Sequence, residues 1–198
     1  MPYRLIKSDE THTSHWAGGS TTELLISPTS AKVADRDFHW RISSARVERD
    51  GPFSDFSGYR RLLLLLEGKG MALDWHHGED SGQLLLTPDS PAWQFEGEAK
   101  VNARLVDGPI SDFNLICNAG MGGELLLHAE RHSLENGASA RHGETTVPGQ
   151  YGVYLHSGAL AIEGMTPRLS PGELLLAQQP LEVRALSPSL CVLFFLGL

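Results

Sequence analysis

Two arginines, Arg60 and Arg61, run directly into five leucines, Leu62 to Leu66, with Gly58 before them and Gly68 after. Such an apolar run reads as a strand buried on both faces, the pattern of a sandwich or barrel interior. Arg61 shares its parity with Leu63 and Leu65. If that face looks inward, a guanidinium enters an apolar interior. An unpaired charge there costs on the order of several kcal/mol, so an anion must meet it. By physics alone, that anion is either a protein carboxylate or a ligand.

Upstream, Trp40 to Val47 alternates, with Arg41, Ser43, Ala45 and Val47 on one face and Trp40, Ile42, Ser44 and Arg46 on the other. Asp50-Gly51-Pro52 then breaks the strand. Arg4 to Ile6 suits a first strand. Thr11 to Thr22, with His12, His15 and two glycines, reads as a loop ahead of the short strand Glu23 to Ser27. No segment joins a sustained helical period to capping signals, and Ala31 to Phe38 is the best candidate for a turn or two. Short apolar runs separated by Gly, Pro, Asp and Ser predict an all-β sandwich or barrel.

The pattern occurs twice. Leu62 to Leu66, a glycine turn to Leu73 and then Gln83 to Asp89 are echoed by Tyr151 to His156, a glycine turn to Ile162 and then Leu169 to Leu176. Two similar β modules follow from this repeat, set at 1–105 and 106–198 and packed as one unit. A shorter echo links Asp50-Gly51-Pro52-Phe53-Ser54-Asp55-Phe56 to Asp107-Gly108-Pro109-Ile110-Ser111-Asp112-Phe113. It fits twin turns or, alternatively, a shared functional rim.

A net charge of −8 with no basic stripe argues against nucleic acid as a partner. The start, Met1-Pro2-Tyr3-Arg4, does not read as a signal peptide. Apolar runs of five to seven residues are too short to cross a bilayer. Cys117 and Cys191 sit in apolar strand-like surroundings and read as buried free thiols of a cytoplasmic protein.

Strand, glycine turn, strand and Pro-Gly turn resemble the plan of a cupin barrel, and two such units make a bicupin. Trp-x-x-Gly-x-x-Thr-Glu-Leu at 16–24, Phe-x-Trp-Arg-Ile-Ser-x-Ala-x-Val at 38–47, Gly51-Pro52-Phe53-Ser54-x-Phe56-x-Gly58-Tyr59-x-Arg61 and Asp112-Phe113-Asn114-Leu115 resemble the HutD/Ves family. That resemblance implies a bacterial bicupin tied to histidine utilisation. It would sense a small intermediate of the urocanate or formylglutamate type and restrain the pathway.

Metal-binding cupins place His-x-His and Glu before the first glycine turn and another His after the Pro-Gly turn. The first module carries Phe53, Ser54, Phe56, Arg60 and Arg61 there, then Trp93 and Phe95, and the second offers only His142. The competing constellation is His128-Ala129-Glu130-Arg131-His132, preceded by Leu125 to Leu127, where alternate residues would line one strand face. It equally suits the exposed polar end of a strand. No metal and no cofactor are expected, and no nucleophile stands beside a base at a recognisable spacing.

The resulting expectation is a small carboxylate held in the N-terminal barrel. Arg61 is the clamp, Ser43, Ser54 and Thr22 supply hydroxyls, and Trp16 and Phe53 form apolar walls. Arg41 and Glu23 are either ligand contacts or each other's partner. Asp112 and Asn114 enter through the short echo and the family motif. The alternative is a cofactor-independent isomerase or hydrolase with Glu23 or a histidine as proton carrier. Because cupin edge strands often pair between subunits, a homodimer is compatible with this plan.

Overall fold

A computed structural model describes residues 3–120 and 126–197. The chain forms two compact units, His12–Met121 and a second made of Met1–Thr11 with Gly122–Leu198. The division falls after 121 and not at 105/106. The strand Ile110–Asn118 lies at the centre of the first unit's larger sheet, between Trp40–Val47 and Tyr59–Glu67. The Asp107-Gly108-Pro109 turn is therefore internal to that unit.

In the first unit the larger sheet runs His12–Trp16, Gly19–Ser27, Trp40–Val47, Ile110–Asn118, Tyr59–Glu67, Trp93–Glu96. The smaller runs Gly51–Pro52, Lys100–Leu105, Met71–His77, Asp80–Leu86. Leu63 and Leu65 from the larger sheet pack with Met71, Leu73, Val101 and Ala103 from the smaller, forming the floor of a barrel. Leu62, Leu64 and Leu66 on the opposite face are also buried. The five leucines are thus apolar on both faces because both faces are covered.

The second unit repeats this plan. Its larger sheet runs Tyr3–Ile6, Leu174–Ala177, Gly149–Ser157, Ser189–Gly197, Leu126–Leu134, and its smaller runs Ser139–Arg141, Glu182–Ala185, Leu160–Ile162, Arg168–Leu169. The two glycine turns correspond closely. Gly68 and Gly158 both have positive φ, at 106° and 92°. A Cβ on either would strike the Pro109 or Pro188 carbonyl at the entry to the last strand of its unit, so only glycine fits there. The detailed pairing of the repeat shifts, however. Leu174–Ala177 pairs with Gly149–Ser157 as Trp93–Glu96, and not Asp80–Leu86, pairs with Tyr59–Glu67.

Several local expectations change. The supposed loop from Thr11 is a hairpin, His12–Trp16 against Gly19–Ser27. Its outer strand is exposed at all five positions, so it carries no alternating apolar signal. The 31–38 segment makes one 3₁₀ turn, Val33–Asp35, ending at Arg36 with φ 54°. Leu125 of the 125–127 run lies outside the described residues. Among the described residues, no helix is long and apolar enough to cross a membrane.

Candidate functional site

The larger sheet of the first unit presents three rows of side chains to the barrel interior. Register sets Arg41 beside Ile116, Arg61 and Phe95, then Ser43 beside Asn114, Leu63 and Trp93, then Ala45 beside Asp112 and Leu65. Above the leucine floor these rows line a cavity of about 340 Å³. Eight of the ten residues expected at a site line it: Arg61, Arg41, Ser43, Asp112, Asn114, Phe53, Ser54 and Trp16.

Thr22 and Glu23 do not. The Thr22 hydroxyl meets Thr13 across the hairpin at 2.8 Å, and Thr21 takes the cavity position, receiving the Trp16 indole N–H at 3.2 Å. Glu23 is the partner of Arg41, with Oε2 2.8 Å from Nε. A register shift between Glu23 and Leu25 interrupts the strand's alternation just beyond Thr22. Ser54 contributes its backbone carbonyl, which accepts from Arg61 Nη1 at 3.2 Å.

Arg61 is 7% exposed. Its guanidinium lies 5.2 Å from the Phe53 and Phe56 ring centroids and 4.8 Å from that of Phe95. These rings attract a cation while withholding water from it. Its Nε is buried and has no hydrogen-bond partner among the described residues. Burial lowers its pKa to about 10, against the favourable charge of Asp112 and with the repulsion of Arg41 and Arg36. Among the described residues no carboxylate forms an ion pair with it.

Asp112 is 3% exposed. Burial pushes its carboxyl up to about 7, opposed by the Ala45 N–H, by Arg61 and by the Asn114 amide. Asp112 Oδ1 accepts from Asn114 Nδ2 at 2.6 Å and from Ala45 N at 3.3 Å. Arg49 adds a third guanidinium to the lining, so the cavity of an acidic chain is lined by three arginines and one carboxyl.

Phe56, Phe95, Thr21 and Arg49 were not singled out as site residues from the sequence. Phe95 had a usable signal, since it shares parity with Trp93, and the two rings stack at 4.0 Å. Both halves of the short echo reach the cavity, through Gly51 to Ser54 and through Asp112, although their backbones differ.

The second barrel offers a direct contrast. At the strand positions matching Arg61, Asp112, Asn114 and Ile116 it has Tyr151, Cys191, Leu193 and Phe195, all part of its apolar core. Its edge strand Leu126–Leu134 carries an exposed polar cluster. Glu130 reaches His128 Nε2 at 3.2 Å and His132 Nε2 at 3.6 Å, so the carboxylate lies between two imidazoles. His142 spends both ring nitrogens on the backbone. Nε2 sits 3.1 and 3.0 Å from the Gly152 and Phe194 carbonyls, and the Leu181 N–H donates to Nδ1 at 3.2 Å. Among the described residues no group of three His, Cys, Asp or Glu is placed to hold a metal ion.

Two barrels of this build in one chain define a bicupin. Consistent with that, the bacterial pirin YhhW of Escherichia coli, solved in complex with nickel(II), superposes over 99% of both chains with a TM-score of 0.66 at 13% identity. The chain belongs to the HutD family, which it matches over residues 8–191, and the family is associated with histidine utilisation.

An uncharacterised 21.2 kDa protein from the hutC 3′ region of Pseudomonas putida is 36% identical over 113 residues, 57% of each chain. Protein Ves of Escherichia fergusonii is 38% identical over 104 residues, 51% of this chain and 50% of that one. The matched stretch therefore spans about half the length of these curated relatives. A conserved protein of unknown function from Pseudomonas aeruginosa PAO1 superposes over the whole of both chains, with a TM-score of 0.75 and 25% identity.

Proposed function

We propose that this bicupin is a non-enzymatic, metal-free sensor in the cytoplasm. Its N-terminal barrel binds a small carboxylate of histidine catabolism, of the urocanate or formylglutamate type, and occupancy modulates histidine utilisation. The observation that carries this reading is Arg61, a guanidinium buried among three phenylalanines with Nε unpartnered. A carboxylate supplies two acceptors in the plane of the guanidinium fork. Each charge-assisted bond is worth on the order of 1.5–3 kcal/mol when shielded from water.

The second reading, a cofactor-independent enzyme, is favoured by one observation, a cavity carboxyl held near neutrality at Asp112. Glu23 suits that role poorly because Arg41 holds it, and among the described residues no histidine lines the cavity. Calorimetric titration with urocanate and formylglutamate, followed by chromatography of the same samples, separates the two. Saturable heat with the ligand recovered unchanged supports the sensor, and a new product supports the enzyme.

A further inference from the structure

We propose that the cavity selects carboxylates that also carry an N–H donor, an amide or azole nitrogen, and that Asp112 and Asn114 are the acceptors that read it. This rests on the carboxylate reading and adds a second recognition element to it.

The argument starts from the Asn114 amide. Its Nδ2 donates to Asp112 Oδ1 at 2.6 Å, so a carboxylate fixes which end of the amide faces Asp112. The other end, Oδ1, is buried and has no partner among the described residues. Asn114 lines the cavity in the row next to Arg61, whose Nε is likewise buried and unpartnered. Buried polar atoms are nearly always paired, so an orphan donor and an orphan acceptor in one cavity together outline their guest. The donor calls for a carboxylate oxygen and the acceptor for an N–H. A carboxylate without an N–H leaves Asn114 Oδ1 desolvated and brings its own charge towards Asp112. A site built to bond a polar hydrogen discriminates strongly against an analogue that lacks it.

Charge gives the selectivity a pH dependence. The charged groups around Asp112 are Arg61 on the neighbouring strand, Arg41 with its partner Glu23, Arg49 in the lining, and Arg36 beyond Phe56. Burial raises the Asp112 carboxyl to about 7. Above that pH its charge welcomes an N–H and repels a bare carboxylate. Below it the proton reverses both effects.

Succinamate and its methyl-ketone isostere levulinate differ in the N–H donor, and neither the amide nor the ketone titrates near neutrality. Titration of the full chain, followed by protein-detected NMR at pH 6 and pH 8, is expected to show succinamate at least tenfold tighter at pH 8. The gap should narrow at pH 6 and disappear in Asn114→Leu. Should that variant not fold, the two ligands on the unaltered protein still decide the question. Equal affinities at both pH values would overturn the N–H selectivity and leave the carboxylate reading standing. Propionamide binding as tightly as succinamate would overturn the carboxylate reading instead. Absence of saturable binding by either acid would overturn both.

Discussion

Replacing Arg61 by methionine should stabilise the empty protein and abolish its response to ligand. The interior lowers the guanidinium to about 10, which corresponds to about 3 kcal/mol disfavouring the charged form. Two favourable interactions are lost against this. The bond to the Ser54 carbonyl is worth about 1 kcal/mol. Attraction to the three rings contributes on the order of 1 kcal/mol, part of which a thioether retains through sulfur–aromatic contact. The net gain is about 1 kcal/mol, or a rise of roughly 2–4 °C in the melting temperature of a chain this size.

Differential scanning calorimetry with and without urocanate reads both effects. The unaltered protein should gain about 2.7 kcal/mol at a ligand concentration one hundred times Kd, whereas Arg61→Met should gain nothing. A variant that melts below the parent when empty, yet is still stabilised by urocanate, would show the guanidinium to be structural and refute the reasoning.

Two further outcomes follow from the same geometry. Because burial raises the Asp112 carboxyl from its ordinary value to about 7, the folded state holds that proton more tightly than the unfolded state. Its contribution to stability is full below the unfolded value and is lost as pH rises towards 7, on the order of 4 kcal/mol. Asp112→Asn should flatten that slope in denaturant melts between pH 4 and 8, and an unchanged slope would assign it to other groups. A Cβ on Gly97 would strike the Phe56 and Tyr59 carbonyls, and the Gly97 carbonyl accepts from Phe56 N at 2.9 Å. Gly97→Ala should therefore cost about 1–3 kcal/mol and weaken binding by displacing the Phe53–Phe56 wall, measured by melts and titration.

Much of the first barrel was legible because its central strands obey a period of two. Arg61 with Leu63 and Leu65, and Arg41 with Ser43 and Ala45, face where parity sends them. Parity gave no signal on the exposed His12–Trp16 strand, and the cavity position expected of Thr22 falls to Thr21. The apolar wall at Phe95 and the orphan atoms of Asn114 and Arg61 depend on which strands become neighbours, and no local pattern encodes that. The second barrel's apolar interior at the matching positions lies in the exchange of Arg61, Asp112 and Asn114 for Tyr151, Cys191 and Leu193. That exchange is readable only once the two strand sets are aligned in space.

The most direct test is a crystal structure of the protein soaked with urocanate or formylglutamate. The account predicts the ligand carboxylate in the N-terminal barrel within about 2.7–2.9 Å of the Arg61 guanidinium nitrogens. A ligand bound elsewhere, or one in the cavity whose carboxylate avoids Arg61, would contradict it.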